Sequence, residues 1–186
     1  PDETPVTEKS PPKPAQSTYG YTKQMGEQIV NEFARSSGLQ CILLRYFNPA
    51  GAHPSASIGE MPLGKPQNLV PAITQTAIGR IPKLVVHGTD YPTRDGSCIR
   101  DFIHICDLAS AHTLSLKYLE QGKNRKNCEV FNIGSGTGIS VLEAIHAFEK
   151  VSDTELNYET GPRRAGDVVA VYANNDLARV RLGWTP

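Results

Sequence analysis

The chain has no excess charge of either sign, no long apolar run and few cysteines, and each lack removes a class of function. Its 186 residues carry 19 Lys and Arg against 19 Asp and Glu. No basic run exceeds a few residues, so the concentrated positive face that phosphate backbones demand is missing, and nucleic acid is not expected as a partner. No apolar stretch approaches the ~20 residues of a helical membrane span, and no membrane partner is expected. Cys41, Cys98, Cys106 and Cys128 lie far apart in the sequence. They show neither metal-site spacing nor the density of a disulfide scaffold, which predicts free thiols in a cytoplasmic protein. The histidines at 53, 87, 104, 112 and 146 are equally scattered, and no metal site is expected.

What the chain does have is an alternation of strand-like and helix-like segments. Residues 1–16 hold five prolines and read as an extended surface segment. From Tyr19 to about Ser36, Met25, Ile29, Val30 and Phe33 recur at helical spacing, with Gly38 where a C-terminal cap belongs. The short apolar run Cys41–Leu44 reads as a strand covered on both faces, broken by Asn48-Pro49. A helix is predicted over 68–79, with Pro71 in its first turn, then a strand at KLVVHG and another over the alternating CIRDFIHIC. Asp107 is placed to cap a helix running to about Gln121. Strands follow at EVFNI, LNYE and VAVYA, and helices at SVLEAIHAFEK and before Gly183. This order predicts an α/β architecture with parallel strands.

NIGSGTG, between a strand and a helix, invites a phosphate-loop reading. Its third glycine falls too early for GxGxxG, and no Lys-Ser/Thr follows. Ser140 and Glu143 read instead as a capping box, and the turn as structural.

Tyr19 and Lys23 are four apart at a predicted helix start, so they face the same space. A phenol is a poor base at neutral pH, but a nearby ammonium favours its ionised form. Such a pair can take a proton from an alcohol while its carbon is oxidised. On these residues alone, a solvated lysine beside a packed tyrosine is the better fit. Tyr21 has only Met25 at the same spacing, which supplies no charge.

Tyr-x-x-x-Lys, followed by a strand ending in RYFNPAGAH, resembles the extended short-chain dehydrogenase/reductase family. IGEMPLGKPQNLVP, GTDYPTRDGSCIRDFIHICDLASAH, FNIGSGTGISV and GPRRAGDV, in that order, narrow the resemblance to its UDP-glucose 4-epimerase group. The resemblance implies a Rossmann-like parallel sheet plus a smaller α/β substrate-binding domain. Residues 1–50 would close the NAD-binding domain, and 51–186 would be mainly the substrate domain, with about 99–121 packing back on the first. The Gly-rich dinucleotide turn and a Ser or Thr at the sugar 4-hydroxyl would lie upstream of residue 1. A C-terminal part of this kind would be inactive alone. The intact protein would be a homodimer that interconverts UDP-galactose and UDP-glucose.

Residue by residue, the resemblance makes Tyr19 the acid/base and Lys23 the holder of the nicotinamide ribose. Tyr46 and Phe47 would line nicotinamide and substrate, and Asn48 the substrate. Asn68 would lie near phosphate and Leu69 against uridine, though a helix cap and a core leucine fit those two as well. Val85, Val86 and His87 match the uracil-holding strand. His87 departs from the aromatic Phe frequent there, which leaves the base contact open. Arg100 and Arg164 would clamp the diphosphate, since two forked guanidiniums neutralise what one cannot. Asp167 would accept from the uridine ribose. Val171 stands where the family varies side-chain size beside the sugar, leaving N-acetylated sugars open. Two other readings stay open: a UDP-pentose 4-epimerase, and a UDP-sugar-binding module without catalysis.

Overall fold

The computed structural model describes Pro1 and residues 3–186; Asp2, part of the predicted extended segment, lies outside the described residues. Strands and helices alternate, and the longer strand pairs are parallel, so the fold class is α/β as expected. Helix α1 (Thr18–Ser37) opens where the Ser17 hydroxyl accepts from the Gly20 N–H, and closes on Gly38 at φ 71°. That left-handed conformation is one glycine adopts at little cost.

Of the apolar residues at helical spacing in α1, only Val30 is part-buried. Met25, Ile29 and Phe33 are 42, 63 and 56% exposed. The face turned toward β1 (Cys41–Tyr46) and β6 (Cys128–Ile133) carries Gly26, Val30 and the fully buried Ala34. Of these Ala34 is the one residue of α1 that is fully buried. Beside them Arg45 grips Glu27 through a fork of 2.7 and 2.6 Å hydrogen bonds, tying α1 to β1.

Strands β1 and β6 run parallel, from Cys41 opposite Cys128 to Tyr46 opposite Ile133. Their apolar side chains join α3 (Ile105–Glu120) and α5 (Asp176–Leu182) in a core holding Ile103, Leu108, Phe131, Ile133, Leu182 and Trp184. The Trp184 indole donates to the Asp107 carbonyl at 2.8 Å, which satisfies its polar atom in the interior. Beneath β6 the buried Glu129 accepts from Arg181 at 2.8 Å and from the Tyr118 hydroxyl at 3.0 Å. A second core gathers Ile73 of α2 (Leu69–Ala77), Leu84 and Val86 of β3 (Leu84–His87), Ile145 of α4 (Val141–Ser152) and Leu156. Here β3 pairs in parallel with β8 (Tyr158–Gly161).

Between the cores the predicted strand over CIRDFIHIC is two strands divided at Asp101. Strand β4 (Ile99–Arg100) pairs with β7 (Ile139–Ser140) and β9 (Ala170–Val171). Strand β5 (Phe102–His104) pairs with β2 (Asn48–Ala50), so Asn48-Pro49 forms a short strand rather than only ending one. The cap of α3 is His104, whose Nδ1 accepts from the Cys106 N–H, with Asp107 one turn inside. The capping box of Ser140 and Glu143 is present in both halves. Within the N-terminal segment Val6 bridges Ala173, and its carbonyl accepts from the Asn132 amide at 2.9 Å, so part of that stretch is pinned to the fold. All four cysteines are free. Among the described residues no helix is long and apolar enough to cross a membrane, and no group of His, Cys, Asp and Glu could hold a metal ion.

Candidate functional site

A cavity of about 310 Å³ opens between the two cores. Asn48, Asn68, Leu69, Val85, His87, Arg100, Arg164 and Asp167 all line it. Strand alternation explains the β3 contribution: Val85 and His87 face the cavity, while Val86, 1% exposed, points into the second core. Val86, expected with them, is absent from the lining. Tyr19, Lys23, Tyr46 and Phe47 stand outside the lining.

The charged wall is built around one carboxylate. Asp167 accepts from Arg164 at 3.0 Å and from Arg100 at 3.4 Å. The Arg100 guanidinium also donates to the carbonyls of Ile99 at 2.9 Å and Val168 at 2.6 Å, which fixes its plane. Arg100 is buried to 16% exposure, whereas Arg164 reaches solvent at 54%. Two guanidiniums sharing one carboxylate leave a net positive charge on this wall, complementary to a phosphate group. Asn68 is the N-cap of α2 yet makes no side-chain cap bond; its amide donates to Glu60 at 3.0 Å. The His87 ring meets the Pro162 carbonyl through Nδ1 at 3.3 Å, and since a carbonyl only accepts, Nδ1 is the donor.

Sequence reasoning did not foresee Lys65, Gln67, Lys83, Cys98, Phe102 or Val141 in the lining. Phe102 was within reach, since strand alternation places it on the face of Arg100. Asp101 was also missed, since the turn at NIGSGTG read as structural only. The loop before β4 is braced from behind: Arg94 donates to the Gly138 carbonyl at 2.7 Å and pairs with Glu143. The Arg94 hydrogen bond lowers the Glu143 carboxyl to about 2 against its partial burial, with help from the Ser140 N–H.

On α1 the Lys23 ammonium lies 5.0 Å from the centre of the Tyr19 ring, and the phenol is 71% exposed. Tyr46, at the carboxyl end of β1, is 48% exposed. Ligands of open α/β sheets gather outside the carboxyl ends of parallel strands. An exposed phenol, ammonium and aromatic ring fit the ribose hydroxyls and planar ring of a nicotinamide. A larger depression of about 450 Å³, lined by Glu149, Asp153, Glu155 and Tyr158, carries none of the predicted residues, and its carboxylates would repel a phosphate.

Residues 1–134 match the NAD dependent epimerase/dehydratase family. The chain is 49% identical over 185 residues to UDP-glucose 4-epimerase 2 of Arabidopsis thaliana, covering 99% of this chain and 52% of that protein. Its fold matches the UDP-glucose 4-epimerase of Stenotrophomonas maltophila, solved with NAD and formylated UDP-arabinopyranose, at a TM-score of 0.93 and 44% identity, over 100% of this chain and 54% of the other. It matches that of Bifidobacterium longum, solved with NAD+ and UDP, at 0.93 and 40%, with the same coverage. The chain thus spans about half the length of the curated relatives it matches.

Proposed function

The chain belongs to the NAD dependent epimerase/dehydratase family, and from that premise we propose that the intact protein interconverts UDP-galactose and UDP-glucose by NAD-dependent oxidation and re-reduction at sugar C4. The observation that carries this reading is the single cavity that gathers Asn48, Asn68, Leu69, Val85, His87, Arg100, Arg164 and Asp167. It offers paired cations for a diphosphate, carboxamides and a carboxylate for hydroxyls, and aliphatic side chains for a base.

In this proposal Arg100 and Arg164 hold the diphosphate, and Asp167 turns from the arginines to the uridine ribose. Leu69, Val85 and His87 line the uracil, and Asn48 and Asn68 orient sugar and phosphate. Tyr19, Lys23, Tyr46 and Phe47 would hold NAD, which when bound would take a hydride from sugar C4 and, after the 4-keto sugar has rotated, return it to the opposite face. Tyr19 takes the proton of the 4-hydroxyl and gives it back, and Lys23 stabilises the charge left on the phenol oxygen. The net redox change is zero, so the cofactor is not consumed.

Residues 1–50 are assigned to the NAD-binding half and 51–186 mainly to the substrate half. The core around β1 supports including 99–121 in the first half, and it draws in 128–133 and 177–184 as well. A cytoplasmic homodimer completes the proposal; Tyr21, Met25, Ile29 and Phe33, spaced four apart and exposed, give α1 an apolar face that association would bury. The neighbour solved with formylated UDP-arabinopyranose favours UDP-pentoses as second substrates. The test is incubation of the intact protein with UDP-galactose and no added cofactor. UDP-glucose is the expected product, and its absence overturns the reading.

A further inference from the structure

The turn after β6 looks like an anion-binding loop, and an anion of the chain's own fills it. The Asp101 carboxylate accepts from the Ser135 N–H and hydroxyl, each at 2.7 Å, through Oδ1. Its Oδ2 accepts from the N–H of Gly136 at 3.1 Å and of Ala173 at 2.9 Å. Asp101 is 0% exposed. A carboxylate removed from water is stable only with such a full set of donors, and these four are all neutral groups. The fit is close: a Cβ on Gly134 would stand 2.4 Å from Asp101 Oδ2 and 2.7 Å from the Ala173 Cβ.

Asp101 also sits directly behind the cavity lining. Arg100, before it, and Phe102, after it, both line the cavity. Its carbonyl accepts from the Asn48 N–H at 2.9 Å, which fixes the chain that leaves β1 through Tyr46. Its carboxylate holds Ala173, two residues past β9, the strand that follows Asp167. One residue, its carbonyl on Asn48 and its carboxylate on the turn after β6 and on Ala173, thus ties the cationic wall to the wall that leads back to β1.

We infer that Asp101 is a positioning residue for the proposed C4 epimerisation, holding Arg100 and Asn48 in the register that presents the sugar for proton transfer. The inference rests on that reading of the function. A sugar anchored by its diphosphate at one end must present one carbon at the other, and a misplacement of ~1 Å costs about 100-fold in rate. Arg100 has supports of its own in Asp167 and two carbonyls. Nucleotide binding therefore survives a shift that turnover does not.

Asp101→Asn in the intact protein keeps the shape and turns one acceptor oxygen into an NH2 group facing N–H donors. The expected result is a kcat lowered about 100-fold with a Kd for UDP within about threefold of wild type. Gly134→Ala leaves the charge in place and displaces the carboxylate, and the same split is expected; it decides the matter if Asp101→Asn fails to fold. Folded variants with a kcat within about threefold of wild type would show that Asp101 only holds the fold, and the inference falls. UDP affinity lost in step with kcat overturns it too. A wild-type protein that does not epimerise brings down the functional reading itself, and this inference with it, before any variant is compared.

Discussion

Lys23 holds its ammonium 5.0 Å from the centre of the Tyr19 ring, one helical turn along α1. Phenol and amine therefore share one face, as a spacing of four requires. Tyr19 is 71% exposed, so its oxygen is accessible to a ligand.

Tyr19→Phe removes the only atom of that side chain able to carry the proton while leaving the ring beside Lys23. In the intact protein, turnover of UDP-galactose is expected to fall about 10³-fold, within the range of acid–base groups. UDP affinity, measured by calorimetry, should stay within about threefold. Tyr21→Phe, on another part of the helix face, should leave kcat near wild type. Turnover surviving in the Tyr19 variant would remove Tyr19 from the mechanism.

Arg100 and Arg164 share Asp167 but differ in exposure, 16 against 54%. Arg164→Ala is expected to weaken UDP binding about tenfold with little effect on stability, the size of one charge-assisted contact. Arg100→Ala should cost more in both, because it also strips the carbonyls of Ile99 and Val168 and half the support of Asp167. Both losses should be equal for UDP-glucose and UDP-galactose. A loss selective for one sugar would contradict a diphosphate role.

The residues that were legible in the sequence are those whose partners are local. Gly38 and Gly183 end helices in left-handed conformations, and Ser140 with Glu143 closes a capping box three residues long. Arg164 and Asp167, three apart, are paired in the structure, although the sequence reading assigned them to separate ligand groups. Asp101 was illegible because its alternating neighbours continue a strand pattern straight through it, and its donors come from 34 to 72 residues away. The burial along α1 was only partly legible, for a related reason. Periodicity marks Met25, Ile29, Val30 and Phe33, but of these only Val30 is part-buried, and the fully buried position is the small Ala34, which a pattern of large apolar residues passes over. Asn68 shows a local rule losing to a distant partner: its amide binds Glu60 rather than the first turn of α2.

Glu129 and Arg181 form an ion pair with 6 and 14% exposure, closed by the Tyr118 hydroxyl. Removing one partner of such a pair leaves an uncompensated charge and costs about 3–5 kcal/mol. Arg181→Met is expected to lower stability by that order in urea unfolding. Adding Glu129→Gln should recover much of the loss, since the remaining groups are then neutral. If the double variant is no more stable than Arg181→Met, the charge left by the single change is not the cause.

Glu143 supplies a pH test. Arg94 and the Ser140 N–H lower its carboxyl to about 2, against ~4.3 in an unfolded chain. A depressed carboxyl contributes stability in full above the unfolded value, and the contribution drains away as pH falls from about 4.3 through about 2. The pair is 46 and 40% exposed, so solvent screening keeps its worth to about 1 kcal/mol or less. Glu143→Gln removes the charge while glutamine still serves the capping box. The variant should melt below wild type at neutral pH, and the gap should narrow at about pH 3, where wild type is itself losing the contribution. Salt should shrink the neutral-pH gap in the same way. A gap that is unchanged between neutral pH and about pH 3 would mean that shape at the helix start, rather than the charge held by Arg94, is what Glu143 contributes.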